Sequence, residues 1–136
     1  MPIVRVVAGI LRDGGGCVLI AQRPAGKHLA GSWEFPGGKL HAGESAREAL
    51  VRELREELGV EVTGLEHFMT IDHDYPDRRV IIETFLIGHR DGEPHGREGQ
   101  VIRWCPITQL ASAGILPADL PIITALCAAR PDRPRS

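Results

Sequence analysis

Apolar residues crowd the start of the chain: "IVRVVAGILR" (3–12) is rich in β-branched residues and predicts a strand. "DGGG" (13–16) reads as a turn and "CVLIAQR" (17–23) as a second strand, so the two predict a hairpin. "PAGKHLAGSWEFPGG" (24–38) breaks the pattern with glycine and proline and reads as a long loop, with at most a short strand at 33–35. Loops of that length within a domain more often carry function than not. Further strands are expected at 61–74, 79–88 and 99–105, joined by turns at "YPDR" (75–78) and "RDGEPHGREG" (90–99). "PITQLASAGI" (106–115) predicts a short irregular helix, and "DLPIITALCAAR" (119–130) a terminal one with Asp119 as a candidate N-cap.

The most clearly bounded element lies between. Ser45 and Glu48 form a capping-box pattern, and Gly59 stands where a left-handed C-terminal cap belongs. Between these ends Ala46, Ala49, Leu50, Leu54 and Leu58 recur at three- and four-residue steps and mark a buried stripe. Strands interrupted by one charged helix and closed by another predict an α/β fold. A single domain over 1–130 and a frayed tail over 131–136 are expected.

Composition narrows the function classes. The formal net charge of -2 argues against a nucleic-acid polymer as partner, although a small phosphorylated ligand remains open if cations mediate the contact. No apolar run reaches membrane-spanning length, and Arg5, Arg12 and Asp13 break the N-terminal stretch too early for a signal peptide. No membrane partner is therefore expected. Cys17, Cys105 and Cys127 form no Cys-x-x-Cys pair, which predicts buried reduced thiols in a cytoplasmic protein.

Glu53, Glu56 and Glu57 lie at i, i+3 and i+4 and so share one helical face, displaced from the leucine stripe. Three ionised carboxylates this close repel one another unless arginines or a metal compensate. With Arg52 and Arg55 alongside, the glutamates alone read better as a solvated, salt-bridged helix. The surroundings shift the balance. Oxygen-only clusters suit hard cations such as Mg²⁺ or Mn²⁺, and "FPGG" upstream offers backbone free of side chains at its glycines.

Spacing completes the pattern: Gly38, five residues, Glu44, seven residues, then Arg52-Glu53-Leu54-x-Glu56-Glu57-x-Gly59-Val60. This resembles the Nudix box, G-x5-E-x7-R-E-U-x-E-E-x-G-U with U aliphatic, at every defined position. "AQRPAGKHLAGSWEFPGGK", "YPDR", "GEPHGREGQ" and "LPADLP" also resemble segments of the MutT-type branch. The resemblance implies a Nudix α/β/α sandwich with a mixed β-sheet, acting as a monomer or homodimer. It further implies hydrolysis of nucleoside triphosphates, above all 8-oxo-dGTP, to the monophosphate and pyrophosphate, with Mg²⁺ as cofactor and Mn²⁺ as a substitute.

Residue roles follow from the same resemblance. Glu53, Glu56, Glu57, Glu98 and the Gly37 carbonyl would bind metal, with Glu53 or Glu98 as general base. Arg52 would hold the acidic cluster, Glu44 would buttress the loop–helix junction, and Glu98 would ride on a mobile loop. Arg23, His28, Phe35, Arg78 and Asp119 would contact the nucleotide. Asp119 departs from the MutT-type pattern, which has asparagine there. An ionised aspartate only accepts hydrogen bonds. It would repel O6 of 8-oxoguanine unless protonated in a buried pocket, but could accept from cytosine N4. The "PAD-(aliphatic)-P" pattern, with "VIRWC" before it, also resembles the CTP pyrophosphohydrolase branch, so CTP or dCTP is the alternative substrate. A nucleotide-sensing domain without turnover would tolerate gaps in the acidic box, and this chain has none.

Overall fold

A computed structural model describes residues 2–128. The expected tail and the last two positions of the terminal helix lie outside the described residues. In chain order the strands are β1 (Ile3–Ile10), β2 (Cys17–Gln22), β3 (Trp33–Glu34), β4 (Gly37–Lys39), β5 (Glu61–Thr63), β6 (Glu66–Tyr75), β7 (Arg78–Leu86), β8 (His89–Asp91) and β9 (Ile102–Pro106). Helix α1 (Ala46–Leu58) follows β4, and α2 (Leu120–Ala128) ends the described chain.

Three layers result. One sheet runs β4-β1-β7-β6, with β1 parallel to β7 and antiparallel to β4, and a second runs β3-β2-β9. Side chains of the central strands alternate between two cores. Val7 and Leu19 pack with Leu50, Leu54 and Leu58 of α1, while Ala8, Ile10, Val18, Ile20 and Ile82 pack with Ile122, Ile123 and Leu126 of α2. Burial on both faces explains why the first strands read as continuous apolar runs rather than as an alternation. The chain is an α/β sandwich with a mixed sheet.

Helix α1 forms as its ends predict. Ser45 Oγ accepts from Glu48 N at 3.1 Å and Glu48 Oε1 accepts from Ser45 N at 2.9 Å, while Gly59 closes the helix at φ 72°. The expected hairpin does not form. Both edges of β1 are already taken, by β4 and β7, so β2 turns away after one bridge, Arg12 to Val18, and pairs with β3 and β9. The expected strand at 61–74 is two strands, because Gly64 takes φ 67° and β5 leaves to pair with β8, which runs into the start of the expected 90–99 turn. Only Cys105 is buried; Cys17 is half-buried and Cys127 exposed, all three as free thiols. Among the described residues no helix is long and apolar enough to cross a membrane.

Candidate active site

The segment read as loop before α1 contains β4, which pairs with β1 through Ala8–Gly37 and Val7–Gly38. The pairing presses the two glycines against other groups. A Cβ added to Gly37 would overlap the Val7 carbonyl, and one added to Gly38 would overlap the Glu53 carboxylate. Both positions therefore need glycine for close approach rather than for an unusual φ.

Arg52 organises the acidic face. Its Nε and Nη2 donate to Glu44 at 2.7 and 2.9 Å, and Nη2 also donates to the Lys39 carbonyl at 3.1 Å. Its Nη1 donates to Glu53 Oε1 at 2.9 Å and Glu56 Oε2 at 3.0 Å. The two Arg52 bonds to Glu44, with the His41 N–H, hold Glu44 down to about 2. Glu57 lies on the other side of the face, where its Oε2 accepts the Gly37 N–H at 3.2 Å. Gly37 thus meets the acidic cluster first through its N–H, not through the carbonyl expected to bind metal. Burial pushes Glu57 up to about 8, reinforced by the carboxylates of Glu53, Glu34 and Glu98. Burial also raises Glu53, against the pull of Arg52.

This donor set fits a hard divalent cation: all donors are oxygen, and burial disfavours the ionised form of Glu57, which a single N–H from the described residues meets. Among the described residues, however, no three acidic, histidine or cysteine side chains already converge on one ion position. Arg52 engages Glu53 and Glu56, so an ion would compete with its guanidinium for those two carboxylates.

The loop bearing Glu98 docks on the C-terminal turn of α1 instead of standing free. His95 N donates to Leu58 O at 3.1 Å and Arg97 N to Glu57 O at 3.0 Å. Arg97 Nη1 donates to Arg55 O at 3.2 Å and Gln100 Nε2 to Glu57 O at 3.0 Å. The Glu57 and Leu58 carbonyls of the last helical turn have no partner within the helix, and these donors answer them, whereas Arg55 O also accepts the Gly59 N–H at 3.0 Å.

On the far side, Arg23 Nε donates to the His28 carbonyl at 2.6 Å and Nη1 to Glu34 Oε1 at 3.1 Å. The His28 ring meets Tyr75 edge-on at 5.0 Å between centroids, and its Nε2 is buried without a partner among the described residues. Arg78, at the β6–β7 turn, pairs with Asp77 at 2.9 Å. The Phe35 ring is packed in the core while its N–H donates to Asp119 Oδ2 at 3.2 Å. Asp119 does not act as the expected N-cap of α2: its carboxylate faces Phe35 across the fold, 84 positions away. It is 4% exposed, and burial pushes it up to about 7.

One cleft of about 810 Å³ joins these groups, and all eleven expected site residues line it: Gly37, Arg52, Glu53, Glu56, Glu57 and Glu98, together with Arg23, His28, Phe35, Arg78 and Asp119. Among the other lining residues, Glu34, Tyr75 and Gln100 carry polar groups that the sequence did not single out. Glu34 sits within "WEFPGG" beside recognised positions, so adjacency was its only signal. Tyr75 Oη accepts the Ala118 N–H at 3.1 Å and so holds the segment carrying Asp119.

Comparison with known proteins agrees with this geometry. A family model for the NUDIX domain matches residues 7–125. The CTP pyrophosphohydrolase of Escherichia coli K12 is 40% identical over 135 residues, covering 98% of each chain. The 8-oxo-dGTP diphosphatase of the same organism is 35% identical over 126 residues, covering 93% of this chain and 98% of that one. A solved MutT structure, from work on the proteins of Aliivibrio salmonicida and Vibrio cholerae, superposes with a TM-score of 0.80 at 38% identity and covers 93% of this chain and 98% of that one. With a complete box over Gly38–Val60, the matching sandwich and a family match over most of its length, the chain belongs to the Nudix family.

Proposed function

We propose that this chain hydrolyses nucleoside triphosphates to the monophosphate and pyrophosphate, with 8-oxo-dGTP-type oxidised purine nucleotides as working substrate. The observation that carries the reading is the single cleft running from the acidic face of α1 to Asp119. A triphosphate has its charge at one end and its base at the other, and the cleft is lined both by an acidic cluster that a cation would bridge to phosphate and by residues suited to meet a base. Relatives named for 8-oxo-dGTP hydrolysis support the substrate class.

Glu53, Glu56, Glu57, Glu98 and Gly37 would hold Mg²⁺, with Mn²⁺ as a substitute. When bound, such an ion supplies charge neutralisation on the phosphates and acidifies the attacking water. Water adds across one P–O–P linkage, that anhydride bond breaks, and the proton passes to a carboxylate. Glu53 is the assigned base, because Arg52 and the close approach of Gly38 fix its orientation. Arg52 is a positioning residue, since its donors already go to Glu44, Glu53 and Glu56.

At the base end, the unpartnered His28 Nε2 is the kind of buried polar atom that a ligand satisfies. Phe35 forms the floor, and Arg23 and Arg78 flank the nucleotide. A neutral Asp119 offers both an O–H and a carbonyl, matching the O6 acceptor and N7–H donor of 8-oxoguanine. A buried carboxyl pushed up to about 7 can take that form near neutral pH. Aspartate at this position also supports a second reading, CTP or dCTP, whose N4 amino group an ionised Asp119 would accept; the 40% identical CTP pyrophosphohydrolase points the same way.

Phosphorus NMR of a reaction with 8-oxo-dGTP and Mg²⁺ tests the chemistry. Monophosphate and pyrophosphate in equal amounts, abolished by EDTA, is the expected result; diphosphate with orthophosphate, or turnover unaffected by EDTA, would contradict it.

A further inference from the structure

Gln100 touches both halves of the proposed metal-binding region without belonging to it. Its Oε1 accepts the backbone N–H of Glu98 at 2.9 Å, and its Nε2 donates to the backbone carbonyl of Glu57 at 3.0 Å. Only one orientation of the amide satisfies both contacts, because a flipped group would set donor against donor and acceptor against acceptor. The turn that brings Glu98 there is tight. Gly99 N donates to Gly96 O at 3.0 Å, and a Cβ on Gly96 would overlap the Gln100 carbonyl. Glu98 itself is exposed and makes no side-chain bond among the described residues. Its placement over α1 therefore depends on its backbone.

We infer that Gln100 is a positioning residue of the reaction, an amide clamp that sets Glu98 against the acidic face of α1 through the backbones of Glu98 and Glu57. The inference rests on the reading that Glu98 takes part in hydrolysis. Arg97 N and His95 N also fasten this loop to α1. Loss of the clamp therefore leaves the loop attached and misplaces Glu98 alone.

The test compares Gln100→Met, which keeps the length of the side chain and loses both bonds, with Gln100→Ala, Glu98→Gln and the double variant Glu98→Gln/Gln100→Met. Loss of an outer group that orients a metal-binding residue costs about 10- to 100-fold in activity or metal affinity. Gln100→Met is expected to lose that much in kcat and to weaken Mn²⁺ binding measured by calorimetry, with its melting temperature within about 5 °C of the parent. Because Gln100 acts through Glu98, the double variant should fall within about threefold of Glu98→Gln. In hydrogen exchange, the Glu98 amide should be protected in the parent and exchange faster in both Gln100 variants.

Multiplicative losses in the double variant, or an unprotected Glu98 amide in the parent, would overturn the inference. So would a Gln100→Ala or Gln100→Met loss that merely follows a fall in melting temperature. If Glu98→Gln is impaired while Gln100→Met is not, the clamp alone fails. If Glu98→Gln turns over like the parent, the reading beneath it fails and the clamp has no catalytic purpose.

Discussion

Glu57 accepts the backbone N–H of Gly37 at 3.2 Å, and its own backbone carbonyl accepts Arg97 N and Gln100 Nε2 at 3.0 Å each. One residue of α1 thereby joins strand β4 to the loop carrying Glu98. The acidic face is positioned by backbone contacts from two segments distant in sequence, with Arg52 bridging its remaining carboxylates.

Glycines 37 and 38 should fail in different ways. Gly37→Ala drives a methyl group into the Val7 carbonyl, which can yield only if β4 separates from β1. A stability loss of about 2 kcal/mol or more is expected in denaturant melts. Gly38→Ala meets the end of the Glu53 side chain, which can move. It should fold normally and lose about 10- to 100-fold in kcat, the cost of disturbing an oriented group. Equal stability for the two variants would contradict this division.

Glu53→Gln preserves size and hydrogen bonding to Arg52 but cannot take a proton. As general base Glu53 should be worth about 10²- to 10⁴-fold in kcat, with the melting temperature unchanged. Near-parental turnover would remove Glu53 from the chemistry.

Arg52→Gln removes the charge that joins Glu44, Glu53 and Glu56. With Arg52 as a positioning residue, kcat should fall by about 10- to 100-fold and the Mg²⁺ concentration for half-activity should rise. A rise in KM for nucleotide alone would indicate substrate contact instead.

Asp119 gives a stability prediction with a definite sign. Its carboxyl is pushed up to about 7 in the fold from an ordinary 3.8, so between those values the folded chain holds a proton that the unfolded chain releases. Stability from this group is therefore greatest at acid pH, declines as pH rises through that window, and levels off above it. Asp119→Asn removes the titration and can still accept the Phe35 N–H. The stability of the variant relative to the parent should rise between pH 4.5 and pH 8, by about 3 kcal/mol at most. Parallel stability curves for the two proteins would contradict the burial argument.

Legibility of the sequence followed the range of each interaction. Helix α1 was readable because Ser45, Glu48 and Gly59 cap it locally, and the box spacing exposed the acidic face. Strand partners were not, because β1 pairs with β7 more than 70 positions away and so has no edge left for β2. The same limit hid Gln100 and Glu34. Gln100 acquires meaning only beside Glu57, 43 positions earlier, and Glu34 only beside Arg23 across the β2–β3 pairing. The Gly37 N–H was likewise overlooked, since nothing local shows which side of β4 faces Glu57.

The substrate assignment is tested most directly by steady-state kcat/KM with Mg²⁺ across 8-oxo-dGTP, dGTP, CTP, dCTP and 5-methyl-dCTP. 8-oxo-dGTP is expected first, ahead of dGTP by about tenfold or more, the size that one net hydrogen bond contributes. Preference for the cytosine nucleotides, or binding without hydrolysis of any of the five, would contradict it.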